Sequence, residues 1–266
     1  MKEIFSMWKS TKMIVLVALT AAIYAAILIP FKAFPIIPAF TEFRPANLIP
    51  VVFGLFFGPA GAWGAAIGNT IGDLLGGTIS WGSAFGFIGN FFFGYIPYKL
   101  WDNLGILKND EMAPDCKNAK KISLFVVVSL IASCACGLWI AWGVDFLGFV
   151  PFAALGTIIP VNNFAAAIIL GLPVTVLLYP RIKKWDLYWK DVMAEDDLPK
   201  GGAIAKTGAY ILLIAAVAGL IFTLYFAFSS GQQAFQFAAG QAKNFMVMIT
   251  GAISCFLIII ASFMQK

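Results

Sequence analysis

The chain has 266 residues, of which 61% are apolar, 15% aromatic and 12% charged, against about 45–50% apolar and about 25% charged in an average soluble domain. That excess leaves too little polar surface to cover a water-soluble globule, and the apolar residues fall in runs near the roughly 20 residues a helix needs to cross a bilayer. A disordered chain, a collagen, a coiled coil and a nucleic-acid-binding domain are excluded as descriptions of the whole, and the net charge of +5 matters through its location in an all-α polytopic membrane protein.

The first apolar run, Met13 to Pro30, follows Lys2, Lys9 and Lys12. A basic start before an apolar stretch also opens a signal peptide. No small-residue cleavage site ends this run, however, and it leads straight into more membrane sequence, so it reads as a retained first span. Within it Ala18, Ala22 and Ala26 recur every fourth residue, a spacing that makes a flat surface for another helix of this chain or of a partner. A Pro- and Phe-rich connection over 31–47 carries Glu42, Arg44 and Asn47.

Leu48 to Phe57 and Ala62 to Gly77 read as two short spans joined by the turn Gly58-Pro59-Ala60-Gly61. Glycine at every fourth position (Gly64, Gly68, Gly72, Gly76) draws one stripe without side chains, read as a packing surface. Asn69 and Asp73 share a face beside that stripe. Asp73 is the one carboxylate well inside an apolar run, and a charge there is costly unless paired or wet. The pair is expected either to brace a neighbouring backbone or to contact a ligand or ion. Ser83 to Tyr98 follows as the fourth span, with Trp81 just before it and Asn90 inside it.

A charged loop over 99–121 precedes the fifth span, Ile122 to Val144, with Trp139, Trp142 and Asp145 near its end. Residues 145–159 read as a mixed connection, and Pro160 to Tyr179 as the sixth span, opened by Asn162 and Asn163. Amides in hydrocarbon need partners, and an apolar pocket with a few amides, one arginine and aromatic rings is the usual make-up of a small-molecule site. Such a pocket suits an aromatic or heteroaromatic compound.

Residues 186–206 form a charged linker, and Thr207 to Phe228 with Phe245 to Phe263 form a C-terminal hairpin whose connection carries Phe235 and Phe237. The expected organisation is a bundle over 1–185, the linker, and a hairpin over 207–266, about eight spans in all. Of the 18 Lys and Arg residues, only Lys32, Arg44 and Lys243 fall on one side of that arrangement. The other side, with both termini, is therefore expected to be cytoplasmic.

There is no histidine, which removes the commonest metal ligand and general base. Cys116, Cys134, Cys136 and Cys255 lack metal-ligand spacing and read as packing residues. No phosphate-binding loop is present, so any ATP use must come from another chain. No catalytic residue, metal site, cofactor or nucleic-acid partner is expected. An importer subunit, a proton- or sodium-coupled secondary transporter using Asp73 or Asp145, and a non-transport membrane scaffold remain.

The order of these features is specific. After the small-residue first span and its Pro-rich loop come F-R-P-A-N-L-I-P (Phe43 to Pro50) and F-G-L-F-F-G-P-A-G-A-W-G-A-A-I-G-N-T-I-G-D-L-L-G (Phe53 to Gly76). A sixth span with N-N ends in Y-P-R (Tyr179 to Arg181). Over roughly residues 10–185 the chain resembles the substrate-binding S components of energy-coupling factor (ECF) transporters, prokaryotic importers of vitamins and related micronutrients. The resemblance implies a six-helix bundle in the plasma membrane, surrounded by lipid, that captures a small molecule from outside. It implies delivery by toppling against a coupling subunit driven by two ATPases. It also implies that Ala18, Ala22 and Ala26 face the coupling subunit and that the outer connection is a lid bringing Glu42 and Arg44 to the ligand. Trp81, Asn90, Trp142, Asn162 and Asn163 are then the expected pocket residues. The C-terminal hairpin is an addition to that plan, expected to cover the pocket, to dock a partner or to be a fusion without bearing on substrate.

Overall fold

The structure is a computed structural model and describes residues 2–38, 40–107, 112–199, 201–235 and 242–265. After the short helix α1 (Glu3–Ser6), α2 (Thr11–Phe31) begins where the Ser10 hydroxyl accepts from the Met13 N–H at 3.4 Å, an N-cap that satisfies one of the first turn's unpaired donors. A two-stranded antiparallel ribbon follows, β1 (Pro35–Ile37) and β2 (Thr41–Glu42). It leads through a turn at Pro45–Asn47 into α3 (Leu48–Phe57). At 1.5 Å per residue this ten-residue helix is about 15 Å long, about half of a ~30 Å hydrocarbon core. The segment before α3 must therefore descend into the bundle, which leaves open space above Asn47.

Gly58, at φ +57°, turns the chain sharply into α4 (Pro59–Leu75). That left-handed conformation suits glycine, and proline is favoured at the first helical position after it. Helices α5 (Gly82–Asn103) and α6 (Ala119–Leu147) follow. The Asn118 side chain caps α6 by accepting from the Lys121 N–H at 2.9 Å, and Gly148 ends it at φ +79°. Then α7 (Phe152–Ala166), a π-helical turn (Ala167–Gly171) and α8 (Leu172–Lys184) form one continuous rod. The short α9 (Trp189–Val192) precedes the hairpin α10 (Ala203–Ser229) and α11 (Phe245–Met264).

Among the described residues, five helical stretches are long and apolar enough to cross a membrane: α2, α6, the α7–α9 stretch, α10 and α11. The chain is an all-α membrane protein, as its composition demands.

The glycine stripe of α4 packs on α2. A Cβ at Gly68 would lie 2.8 Å from the Ala21 carbonyl oxygen, and one at Gly72 would lie 2.6 Å from Leu28 Cδ2. Ala21 and Ala25 are buried in that contact, while Ala18, Ala22 and Ala26 on the other side of α2 are exposed.

Two segments differ from the sequence reading. Most of the mixed connection over 145–159 is helical, since α7 starts at Phe152. The apolar stretch over 152–159 contains no breaker strong enough to stop it, and the ring of Pro160 fits inside the helix against Gly137, which has no side chain to obstruct it. A mid-helix proline costs one backbone hydrogen bond, but it does not end this rod. Within the charged linker, Tyr188 and Trp189 are buried, and Trp189 meets Tyr98 edge-on at 4.8 Å between ring centres. Phe237, and Lys108, Lys200 and Lys266 of the charge count, lie outside the described residues.

At the end of the bundle that holds the chain termini, Lys99 is 1% exposed. Its Nζ lies 2.6 Å from Glu3 Oε1 and donates to the Gln265 carbonyl at 2.7 Å. The Tyr95 hydroxyl donates to the same Glu3 oxygen at 3.0 Å. One buried ammonium thus fastens the first helix, α5 and the end of α11. Burial pushes the Glu3 carboxyl up, and the charge and hydrogen bond of Lys99 more than reverse this, leaving it below the ordinary value.

Candidate functional site

At the opposite end, above α3, lies a small open cavity of about 40 Å³. Its walls come from four places. The lid contributes Phe40, Thr41 and Arg44; α4 and the loop after it contribute Asn69, Asp73, Thr78 and Ser80. The start of α5 contributes Gly82, Ser83, Gly86 and Asn90, while Cys136, Ile140, Val144, Ile159 and Asn163 close it from α6 and α7.

The charges form a balanced set. Lys32, at the end of α2, donates to Asp73 Oδ1 at 2.7 Å and to Thr78 Oγ1 at 2.9 Å, and lies 3.4 Å from Glu42 Oε1. Arg44 Nε makes an ion pair with the same Glu42 oxygen at 2.8 Å, and its Nη1 donates to Asn69 Oδ1 at 3.1 Å. Asn69 Nδ2 in turn donates to Asp73 Oδ2 at 3.3 Å. Burial works against the Arg44 charge, and Glu42 foremost, aided by Asp73, outweighs it, so the guanidinium is held more firmly charged than usual. Two cations thus face two carboxylates, and the set favours no strongly ionic ligand. Arg44 belongs to the cavity wall.

Beneath this layer is a buried network of amides. The Tyr24 hydroxyl lies 2.7 Å from Asn47 Oδ1 and 3.0 Å from Asn90 Oδ1, and Asn47 Nδ2 lies 2.5 Å from Asn163 Oδ1. Asn90 is oriented by its own Nδ2, which donates to the Gly86 carbonyl at 2.8 Å. A phenol carries one proton. The oxygens of Asn47 and Asn90 share it, and Asn47 turns its nitrogen to Asn163. Asparagine orientation is set by such networks.

The residues expected from the sequence divide in the structure. Arg44, Asn69, Asp73, Asn90 and Asn163 line the cavity. Glu42 stands behind Arg44, and Asn162 holds the lid: its Nδ2 donates to the Glu42 carbonyl at 2.8 Å, and its Oδ1 accepts from the Arg44 N–H at 3.4 Å. Trp142 turns to the hairpin, where its Nε1 donates to the Met248 carbonyl at 3.0 Å. Trp81 is 79% exposed and outside the lining.

Lys32 and Tyr24 escaped the sequence reading. Lys32 looks like one more loop charge, and Tyr24 like one more apolar position of the first span. The available signal was that Tyr24 is the only residue of that run whose side chain carries both an aromatic ring and a hydroxyl. All four cysteines are free and buried, and Cys136 touches the cavity. No group of three or more metal-ligating side chains occurs among the described residues.

Apolar walls (Phe40, Ile140, Val144, Ile159) face amides, hydroxyls and a guanidinium, the usual make-up of a small-molecule site.

No curated protein and no solved structure matches the chain. The family model described as QueT transporter matches residues 14–180, from the start of α2 into α8, and stops short of the hairpin. The matched stretch contains every residue of the cavity and of the amide network beneath it. The chain belongs to the QueT transporter family and is a substrate-binding S component of an energy-coupling factor transporter, a multi-pass protein of the cell membrane.

Proposed function

We propose that the chain captures a queuosine precursor, a flat 7-deazaguanine base, in the cavity above α3, and passes it through a coupling subunit energised by two ATPases. The observation that carries this reading is the convergence of Arg44, Asn69, Asn90 and Asn163 on one apolar-walled cavity. A deazaguanine edge alternates donors and acceptors as amides and guanidinium groups do, and paired amide-type hydrogen bonds discriminate bases strongly. The cavity end faces outward in this reading, and the end with both termini, rich in lysine, faces the cytoplasm. The exposed stripe of Ala18, Ala22 and Ala26 is the docking face for the coupling subunit, since small residues let helices approach closely.

Native mass spectrometry of protein purified gently from its own host tests this. A co-purified deazaguanine base together with a coupling subunit and two ATPases is the expected result. A chain with a different bound compound overturns the substrate, and a chain that never associates with ATPases overturns the coupling. Ala22→Leu should remove the partner subunits while leaving binding of the base intact; loss of binding instead would overturn the docking face.

A further inference from the structure

The family match ends before α10 and α11, yet the hairpin reaches the substrate end of the bundle at one fully buried carboxylate. Asp145, near the end of α6, is 0% exposed. Its Oδ1 accepts from the Phe152 N–H that opens α7, at 2.9 Å, and from Gln232 Nε2 of the hairpin connection, at 3.3 Å. Its Oδ2 accepts from the Lys243 N–H at 3.0 Å. Gln232 closes the ring, its Oε1 accepting from the Ala153 N–H at 3.0 Å. Lys243 holds a left-handed conformation at φ +67°, a posture that costs a side-chain-bearing residue energy and persists where the surroundings enforce it.

The α6–α7 corner fastened in this way leads directly to the cavity and its lid. Val144, beside Asp145, and Ile159 and Asn163 of α7 line the cavity. Phe149 of the corner packs on Phe40 of the lid at 6.0 Å between ring centres. Farther along α7, Asn162 grips the lid backbone at Glu42 and Arg44. These two holds on the lid come from the corner and from α7, whose free end the hairpin ties down, while Lys32 and Asn69 hold it from the α2 and α4 side.

The geometry points to the hairpin as a clamp on the binding site, with Asp145 and Gln232 as positioning residues that keep the lid seated and prolong substrate residence. The residence effect rests on the substrate reading above; the seating of the lid does not. The clamp acts on equilibrium opening of the lid, which amide exchange reports, and on the dissociation rate, where most differences in affinity between variants arise.

The test is hydrogen-exchange mass spectrometry on the full chain in nanodiscs without ligand, followed by dissociation of a tritiated 7-deazaguanine base. Gln232→Ala should speed exchange about tenfold in residues 40–47 and 148–154 and leave residues 11–31 unchanged. The bound base should leave about tenfold faster with its association rate unaltered. Phe149→Ala, which leaves the contacts of Asp145 in place, should loosen 40–47 to a smaller degree, and Phe149→Leu should restore most of the protection. Faster exchange at 148–154 with a lid indifferent to both Gln232→Ala and Phe149→Ala overturns the clamp. So does a uniform rise that includes 11–31, which is plain destabilisation. If the unaltered protein binds no such base, the substrate reading fails while the exchange result still decides the clamp.

Discussion

Both ends of this bundle bury charge, and they bury it differently. At the terminal end, Lys99 is matched at once to Glu3, the Gln265 carbonyl and two tyrosine rings in dry packing. At the lid end, Lys32, Arg44, Glu42 and Asp73 are also paired, but Arg44 and Asp73 line an open cavity together with three asparagines. Buried polarity that closes on itself fixes a fold. Buried polarity that lines an open cavity has the usual make-up of a small-molecule site.

The largest effect is expected at the closed end. Lys99→Met leaves the Glu3 carboxylate buried without its cation, and should destabilise the protein by about 3–5 kcal/mol, the usual cost of halving a buried ion pair. Thermal unfolding in detergent measures it. The double variant Glu3→Gln/Lys99→Met should recover most of that loss, and substrate affinity of the surviving folded protein should be unchanged.

At the open end the pattern inverts. Arg44→Ala should cost about 2–5 kcal/mol of substrate binding, the range for removing one member of a buried hydrogen-bonded charge pair, with a smaller effect on unfolding. Asn163→Ala should cost about 1–3 kcal/mol of binding. Equilibrium titration with the base checks both, and two variants that bind normally would relocate the site. Tyr24→Phe should weaken binding less than Asn163→Ala, because it loosens the amide network rather than removing a contact, and the same titration measures it.

The smallest effect is on pH dependence at the closed end. The Glu3 carboxyl sits below its ordinary value because Lys99 outweighs burial. Its stabilisation is therefore complete above the unfolded value, about 4.3, and is lost as pH falls through the lower folded value. The melting temperature of the protein should be insensitive to this group from neutral pH down to about 5, and should fall below about 4. Glu3→Gln should flatten that acid limb.

Much of this was legible in one dimension because lipid imposes a one-dimensional code. Hydrocarbon thickness sets span length, so runs of apolar residues mark helices, and the order of loop motifs identified the ECF plan from Phe43 to Gly76. The glycine stripe of α4 was read as packing, and it packs on α2. Part of the cavity wall was legible too. Arg44, Asn90 and Asn163 stood out as polar residues in apolar surroundings, and the structure brings them to one cavity. Trp142 could not be assigned from its position: a tryptophan near a helix end looks the same whether it faces a ligand or, as here, the backbone of a neighbouring helix.

What the sequence alone determined is membrane residence, helix content, the glycine contact and the family, each of which depends on composition, periodicity or local order. The tertiary structure alone decided that Lys32 joins Asp73, that Tyr24 joins the amides, and that the hairpin holds the corner of α6 and α7 through Asp145. Those contacts join residues 23 to 98 positions apart. Their formation depends on how helices rotate and tilt against one another, and no residue's own preference records that.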